Sequence, residues 1–226
     1  MKKFKIIAID GPSGSGKSTT AKLLSAHLGF TYLDTGAMYR CVTLAALENE
    51  IELSDEEKVT GVANSIMLSI VPSPDGDRIM LDGRDVTVDI RSPKVDSNVS
   101  RVSAYKGVRD RMVAIQREFA KRGDVVAEGR DIGTVVFPDA DLKIYLIADL
   151  KTRAIRRCRQ LESFGLQTTF DEQTAALSSR DLFDSGRTNS PLKQADDAIV
   201  IDTSGMSINE QVEKAYSLAC DKLNTA

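Results

Sequence analysis

A glycine-rich loop near the start of the chain has the residue types and the spacing that phosphate binding requires. Residues 11–18 read Gly-Pro-Ser-Gly-Ser-Gly-Lys-Ser, which fits the pattern G-x-x-x-x-G-K-[ST]. Glycines let successive backbone N–H groups curve around phosphate oxygens without clashes from Cβ atoms. In this pattern Lys17 reaches the β- and γ-phosphates of a nucleotide, and the Ser18 hydroxyl binds Mg²⁺. The loop therefore predicts nucleotide binding, but it does not by itself specify a reaction.

The residues on either side of this loop supply the context that the motif needs. An apolar run of strand length occupies residues 4–10, and a partly apolar helical pattern occupies residues 19–28. The start of such a helix presents unpaired N–H groups and a positive dipole end to a bound anion. The alternative is a Gly/Ser-rich turn with an incidental lysine. The flanking strand and helix favour the phosphate loop.

Length and composition bound the class of protein. The chain has 226 residues, 42% hydrophobic and 28% charged, as expected for one soluble α/β domain with small insertions. The net charge is −3, so anion binding must depend on local clusters of arginine and lysine. The sequence contains no apolar run of membrane-spanning length, no signal-peptide pattern and no metal-binding cysteine spacing. We therefore expect a cytoplasmic protein that binds neither a membrane nor nucleic acid. A monomer is a separate expectation that does not follow from these features.

Strand-like runs alternate with helical patterns along most of the chain. Such alternation predicts a parallel sheet that is covered by helices. Ligands of these sheets bind beyond the carboxyl ends of the strands, so the loops after Asp10, Leu33, Ala127 and Ile147 are the candidate site. The runs of strand length are residues 6–9, 32–33, 125–127, 142–147 and 198–201.

One segment departs from this alternation. Residues 67–71 and 78–81 are strand-like and are joined by a turn at residues 72–77, which is rich in proline and glycine. A second turn at Asp82-Gly83 precedes another short strand-like run at residues 86–88. The pattern predicts a small antiparallel insertion at about residues 66–90.

Polar residues gather where two of the predicted strands end. Asp34 and Thr35 open a helix that carries Arg40 on its second turn, and either of the first two could simply be the helix N-cap. Residues 128–134 read Glu-Gly-Arg-Asp-Ile-Gly-Thr and combine two acids with an arginine. In a sheet of this kind such residues at a strand end indicate a ligand site.

Two later helices carry arginines that allow two interpretations. Arg180, Asp184 and Arg187 share the spacing of one helix face, which is either a solvated ladder of ion pairs or a clamp on a phosphate and a hydroxyl. The helix predicted at residues 151–164 is either a solvated basic face or a lid that handles phosphate. Its basic residues are Lys151, Arg153, Arg156, Arg157 and Arg159.

Several of these stretches together resemble one family, the bacterial cytidylate (CMP) kinases among the nucleoside monophosphate kinases. The resemblance covers nearly the whole chain. It implies an α/β fold with a parallel five-stranded P-loop kinase sheet covered by helices. It also implies a monophosphate-binding β insertion at residues 66–90 and a helical lid at about residues 151–167. The stretches that carry it are residues 9–18, 33–40, 128–138 and 191–197, with Arg180-Asp181, Asp184 and Arg187.

The resemblance also implies an activity, ATP-dependent phosphorylation of CMP and dCMP with Mg²⁺ as the cofactor. Lys17, Arg130 and Arg187 would serve catalysis, and Ser18 would bind the metal. The residues implied for ATP are Gly11, Pro12, Ser13, Gly14, Ser15, Gly16, Lys17, Ser18 and Thr19, with Arg153, Arg156 and Arg157 from the lid. The residues implied for CMP are Thr35, Arg40, Ser100, Arg109, Arg130, Asp131, Arg180, Asp184 and Arg187.

Each implied CMP contact has a role in the family pattern. Ser100, Arg109 and Asp131 would face the base, and Asp184 with Arg180 would face the ribose. The phosphates would be bound by Arg40, Arg130 and Arg187. Two departures from the family are visible: Thr35 stands where serine also occurs, and Lys106-Gly107 replaces the proline often found before Val108-Arg109.

Other activities remain open from the residues alone. A small P-loop kinase could act on UMP, AMP or an alcohol such as shikimate. A GTP-binding switch protein would need an N-K-x-D tetrapeptide to recognise guanine, and the sequence has none. A non-catalytic ATP-binding module would not need the arginines that crowd the later motifs.

Overall fold

Short runs of isoleucine, valine and leucine form most of the strands, in line with their β propensity. The computed structural model describes residues 4–71, 73 and 77–223. Its strands are β1 (Ile6–Asp10), β2 (Thr31–Asp34), β3 (Leu68–Val71), β4 (Arg78–Leu81), β5 (Arg84–Asp85), β6 (Val125–Gly129), β7 (Leu142–Ile147) and β8 (Ile199–Asp202). Its α-helices are α1 (Lys17–Leu28), α2 (Thr35–Glu48), α3 (Glu56–Ser65), α4 (Pro93–Val102), α5 (Lys106–Phe119), α6 (Leu150–Ser163), α7 (Phe170–Gly186) and α8 (Ile208–Leu223).

The chain divides into two units, of which the first comprises residues 4–33 and 117–223. Its five-stranded parallel sheet has the strand order β2-β6-β1-β7-β8. Strand β1 lies in the centre, and Asp10 at its end is paired with Gly129 of β6 and Tyr145 of β7. The α/β fold with a five-stranded parallel sheet and a separate small antiparallel sheet is therefore confirmed.

Helices α1 and α8 cover this sheet through an apolar core. Because β1, β6 and β7 are buried inside the sheet, their sequences are nearly continuous in apolar residues rather than alternating. This packing fixes the carboxyl ends of the strands, where the predicted site lies. The core residues are Ile7, Ile9, Ala21, Leu24, Val126, Leu142, Ile144, Leu146, Ile201, Ala215, Ala219 and Leu223.

The second unit, Asp34–Gln116, contains most of the helical residues from α2 to α5 and the antiparallel sheet β3-β4-β5. Strands β3 and β4 pair as predicted, with Leu68 opposite Leu81. The turn predicted at residues 72–77 lies largely outside the described residues. Asp82 and Gly83 form the second predicted turn, both with positive φ.

The prediction of a third strand at residues 86–88 of this insertion is wrong. Strand β5 is only Arg84–Asp85. Val86 still donates its N–H to the Ile79 carbonyl at 2.9 Å, and the chain then turns. The reason is a side chain that replaces the backbone ladder: the Thr87 hydroxyl accepts the Ile79 N–H at 2.9 Å and donates to the Asp85 carboxylate at 2.6 Å. The same carboxylate accepts the Thr87 N–H at 3.0 Å. Local side-chain hydrogen bonds of this kind end a strand early.

Side chains cap the starts of two further helices. At α3 the N-cap is Asp55, which accepts the Lys58 N–H, while the neighbouring Ser54 donates to Glu52. At α8 Ser207 and Glu210 form a capping box, in which each side chain accepts the backbone N–H of the other. Within the described part of the chain, no helix has both the length and the apolar character needed to cross a membrane.

Candidate active site

The phosphate loop lies between β1 and α1 and is shaped by positions that only glycine can occupy. Gly11 has φ 149°, and a Cβ there would lie 2.1 Å from the carbonyl oxygen of Leu146 in β7. Gly16 is left-handed with φ 93°, and its Cβ would lie 2.5 Å from Oε1 of Gln211 in α8. The loop backbone is thus held tightly against the sheet and the last helix, with the start of α1 immediately after it.

Substituting Gly11→Ala should sharply lower stability. The new Cβ clashes with a backbone oxygen, and the left-handed φ is strained for any L residue, so we expect a loss of about 2–6 kcal/mol in the free energy of unfolding. Gly61→Ala is the matched control. It lies within α3 with nothing within 4 Å of its Cβ, so it should stabilise the protein by about 0.5–1 kcal/mol. Urea unfolding of both variants measures the difference, and equal stabilities would contradict this account of the loop.

Lys17 is the first residue of α1 and is only 5% exposed. Its ammonium group donates to the carbonyl of Pro12 at 2.8 Å, which holds it across the loop. Burial lowers the pKa of Lys17, and the positive charge of Arg130 lowers it further. A cation held in this way gains strongly from an arriving phosphate, since the new negative charge favours the ammonium form.

The remaining loop residues fit contact with a ligand. Ser18 and Thr19 follow Lys17 and are exposed at the start of α1. Ser15 is fully buried, and its hydroxyl has no hydrogen-bond partner among residues 4–71, 73 and 77–223. The structure therefore has the exposed hydroxyl groups and helix N–H groups that phosphate binding would use.

The loop after β6 brings further charged residues to the same edge of the sheet. Glu128 is buried and accepts a hydrogen bond of 2.7 Å from the Tyr32 hydroxyl of β2. Arg130 and Asp131 follow, and a single π-helical turn, Ile132–Val136, then begins. Asp131 is 4% exposed, and its side chain is not used to cap that turn.

Three of the predicted residues form one cluster around a buried carboxylate. Asp184 of α7 is 3% exposed and accepts a hydrogen bond of 3.0 Å from Nε of Arg130. Nε of Arg180 lies 3.9 Å from the same carboxylate oxygen. The burial of Asp184 rules out a solvated ladder of ion pairs as the arrangement of this helix face.

Arg187 is placed differently from the expectation. It follows the last helical residue, Gly186, as the C-cap of α7, so it does not continue the helix face of Arg180 and Asp184. Its Nε donates to the carbonyl of Ser190 at 2.7 Å. The prediction that Arg187 shares a helix face with Arg180 and Asp184 is therefore wrong, because α7 ends at the residue before Arg187.

The arginines of α6 contact the phosphate loop itself. Arg153 donates to the Ser13 carbonyl at 3.3 Å and pairs with Asp181 of α7 at 2.7 Å. Arg156 donates to the Gly14 carbonyl at 3.4 Å and to the main-chain oxygen of Thr203 at 2.7 Å. The basic helix is thus docked on the loop through these two side chains.

Arg157, the third implied arginine of α6, donates to Gln160 of its own helix at 2.7 Å. Thr203, which follows β8, also ties the loop down: its fully buried hydroxyl lies 3.0 Å from the Ser15 carbonyl oxygen and accepts from Arg156.

The other predicted residues lie in the second unit. Asp34 is the N-cap of α2 and accepts the Ala37 N–H at 2.9 Å, so of the two candidate capping residues it is Asp34 that caps the helix. Thr35 is the buried first residue of α2. Arg40 donates to the Ile90 carbonyl at 3.2 Å and pairs closely with Asp96.

The implied base-reading residues of this unit lie on α4 and α5. Arg109 of α5 is 4% exposed, and its guanidinium lies 5.4 Å from the centroid of the Tyr39 ring. The same group donates to the Ser103 carbonyl at 3.2 Å. Ser100 of α4 is half-buried. The buried guanidinium of Arg109 is thus fixed by an aromatic ring and a carbonyl.

Sequence reasoning gave no role to several residues that organise these sites. Asp181 pairs with Arg153, and Thr203 bonds the phosphate loop, through contacts distant in sequence. Asp96 pairs with Arg40, and its only sequence signal is a carboxylate in the first turn of a helix. Such pairings depend on tertiary structure and leave no local pattern.

Comparisons with known proteins identify the family and support the fold. The sequence profile of the cytidylate kinase family matches residues 7–220. A cytidylate kinase of Carboxydothermus hydrogenoformans is 47% identical over 94% of this chain and 96% of its own length. A cytidylate kinase of Bacillus pumilus is 44% identical over 97% of both chains. A crystal structure from Thermus thermophilus covers 100% of both chains with a TM-score of 0.51 and 19% identity, which supports the fold alone.

Proposed function

Because the chain belongs to the cytidylate kinase family, we propose that it transfers the γ-phosphate of ATP to CMP and dCMP, giving ADP with CDP or dCDP. The observation that carries this proposal is the pairing of two cationic sites in one unit. The phosphate loop with Lys17 suits the donor, and the Arg130–Asp184–Arg180 cluster around the buried carboxylate suits an acceptor nucleotide. The reaction belongs to pyrimidine nucleotide metabolism.

Phosphoryl transfer asks little covalent chemistry of the protein. It requires the acceptor phosphate to be held in line with the γ-phosphate and the developing negative charge to be neutralised. Lys17, Arg130 and Arg187 are proposed to supply that charge. Lys17 is already desolvated and fixed across the loop, so little reorganisation accompanies its contact with phosphate.

The donor set around the phosphate loop fits Mg²⁺. This ion takes one or two hard protein oxygens and completes its coordination with phosphates and water. The exposed Ser18 hydroxyl at the start of α1 is such an oxygen, and the described residues contain no cluster of three or more histidine, cysteine, aspartate or glutamate side chains that would hold a metal alone. When bound, Mg²⁺ neutralises phosphate charge.

The residues proposed to bind CMP fall into groups by the part of the nucleotide that each would contact. Arg40, Arg130 and Arg187 are proposed for the phosphates, and Asp184 with Arg180 for the ribose hydroxyl groups. Thr35 is a further contact, and the base-reading residues are proposed to be Ser100, Arg109 and Asp131. Buried guanidinium and carboxylate groups such as those of Arg109 and Asp131 are well suited to read a base, since a mismatched partner is left unpaired.

The insertion and the basic helix are proposed to serve substrate binding. Residues 66–90, which include the sheet β3-β4-β5, are proposed to bind the monophosphate. Residues 151–167 are proposed to form the ATP lid, because Arg153 and Arg156 of α6 already contact carbonyl groups of the phosphate loop. A lid that excludes water protects ATP from hydrolysis.

The protein is further proposed to act as a cytoplasmic monomer that binds neither nucleic acid nor a membrane. The net charge of −3 supports the absence of nucleic-acid and membrane binding, since no overall positive field attracts polyanions.

A coupled assay of ADP formation tests the proposed function. Purified protein is given ATP and Mg²⁺ with CMP, dCMP, UMP, AMP or shikimate as the acceptor. We expect turnover with CMP and dCMP well above that with the other acceptors. Turnover that is highest with AMP or shikimate would assign the chain to a different kinase activity, and ADP formation that no acceptor increases would leave only an ATP-binding module.

Asp184→Ala should raise KM for CMP and leave KM for ATP nearly unchanged. The substitution removes the proposed acceptor of a ribose hydroxyl and the partner of Arg130, so we expect about a tenfold or larger rise in KM for CMP. Asp171→Ala is the matched control, since this residue lies exposed in the first turn of the same helix. Steady-state kinetics with each substrate varied in turn measures both constants. An equal rise in KM for CMP and in KM for ATP would indicate that Asp184 only forms a structural ion pair.

A further inference from the structure

Asp10 is a buried carboxylate that the proposed reaction leaves without a role. It ends β1, directly before the phosphate loop, and is 4% exposed. One carboxylate oxygen accepts the Ile132 N–H at 2.8 Å, and the other accepts the Gly133 N–H at 2.7 Å. The central strand of the sheet is thus tied to a loop more than a hundred residues away in sequence.

The loop that Asp10 holds is the one that carries Arg130 and Asp131. Its two ends are fixed by different groups. At the far end, the guanidinium of Arg117 donates to the carbonyls of Val135 and Val136 at 2.8 and 3.0 Å. At the near end, directly after Asp131, the hydrogen bonds to Asp10 hold the backbone.

We propose that Asp10 is a positioning residue for acceptor binding: by accepting both N–H groups, its ionised carboxylate fixes the backbone from which Arg130 and Asp131 reach CMP. The inference rests on the proposed function for the identity of the acceptor, and on the two hydrogen bonds for the positioning. Asp10 contacts no substrate in this account. A neutral side chain at this position would accept only one of the N–H groups well, because its second polar atom would carry hydrogen.

The charge of Asp10 is set by its surroundings. Burial raises the pKa of Asp10 to about 6, the two N–H bonds act in the opposite direction, and the negative charge of Asp131 raises the pKa while Lys17 lowers it. Asp10 is therefore ionised at neutral pH and protonated as the pH falls through about 6. The titratable and charged groups that face it are Lys17 of α1, Asp131 of the loop, and Lys143 and Tyr145 of β7.

The test compares Asp10→Asn with Asp141→Asn in the full-length protein. Asn keeps the shape of Asp10 but presents an NH₂ group to one of the N–H donors. Asp141 is the matched control because its carboxylate also accepts a β1 backbone N–H, that of Ile6 at 2.9 Å, at the opposite end of the same strand. We expect Asp10→Asn to raise KM for CMP about tenfold or more with little change in KM for ATP, and Asp141→Asn to change neither.

Hydrogen exchange supplies a readout that does not depend on activity. In Asp10→Asn the amide protons of Ile132 and Gly133 should lose protection by on the order of tenfold or more, whereas in Asp141→Asn they should not. In the wild type, protection of the same amides relative to their intrinsic rates should fall as the pH drops below about 6. If Asp10→Asn does not fold, the wild-type measurement still decides whether the Asp10 carboxylate holds the two amides.

The outcomes separate this inference from the proposed function. Lost amide protection together with a selective rise in KM for CMP supports the positioning role. Lost protection with an unchanged KM for CMP overturns it, as does unchanged protection in both the variant and the acidified wild type. If the wild type does not use CMP, the proposed function fails, and the exchange result alone still decides whether Asp10 holds the loop.

Discussion

Lys17→Ala is expected to fold and to lose roughly 10²–10³ in kcat, because a preorganised charge at the γ-phosphate is removed. The ammonium group is buried, fixed to the Pro12 carbonyl and desolvated, so water would not weaken its proposed contact with the transferring phosphoryl group. Folding should survive, since burial already disfavours this charge in the absence of a ligand, as the lowered pKa of Lys17 indicates. Steady-state kinetics and circular dichroism measure the two properties separately.

Lys22→Ala provides the control for that experiment. Lys22 lies on the same helix α1 and is exposed, so the loss of its charge should leave kcat close to the wild-type value. A folded Lys17→Ala variant that keeps near wild-type kcat would show that residues 11–18 do not hold the phosphoryl group.

The preference for cytosine over uracil should be roughly 10²–10⁴ in kcat/KM, and Asp131 should carry much of it. Cytosine offers an N4 amino donor and an N3 acceptor, whereas uracil offers an O4 acceptor and an N3–H donor. A carboxylate can only accept and an arginine can only donate, so Asp131 suits the amino group and Arg109 suits N3 of cytosine. With uracil both pairings fail, and each buried group left unpaired is costly.

Asp131→Asn should lower kcat/KM for CMP and narrow the CMP/UMP ratio by at least about tenfold. The amide keeps the shape of the side chain and adds a donor that can pair with O4 of uracil. Asp139→Asn removes the same charge from an exposed position a few residues further on and should leave the ratio unchanged. An equal loss of kcat/KM for CMP and for UMP would indicate that Asp131 shapes the loop and does not read the base.

The sheet and the phosphate loop were predictable because their signals are local. The apolar run ending at Asp10, the glycine spacing of residues 11–16 and the helix that begins at Lys17 are contiguous in sequence and agree with one another. The capping box at Ser207 and Glu210 is equally local. Elements whose apolar runs, glycine spacing or capping residues lie within a few positions of one another can be inferred from residue order alone.

The errors arise where a local pattern competes with a side-chain contact. Residues 86–88 have strand-like character, but the hydroxyl of Thr87 takes the Ile79 N–H that a strand would have paired through its backbone. Arg187 fits a helical spacing, but α7 ends at Gly186. At α7 the pattern was correct for Arg180 and Asp184 and failed only at the end of the helix.

The part of the site that no pattern reveals is the set of contacts that hold the predicted residues in place. Asp10 bonds the backbone beyond Asp131, and Asp181 pairs with Arg153 from another helix. A single sequence shows that these carboxylates exist but not which groups they face. Only the assembled sheet and helices bring each pair together.

The central claim is tested most directly by an internal competition. Wild-type protein is given ATP and Mg²⁺ with equal concentrations of CMP and UMP, and CDP and UDP are separated and quantified early in the reaction. The product ratio equals the ratio of the two kcat/KM values, so the account predicts CDP in excess of UDP by roughly 10²-fold or more. Equal amounts of the two products, or more UDP than CDP, would contradict it.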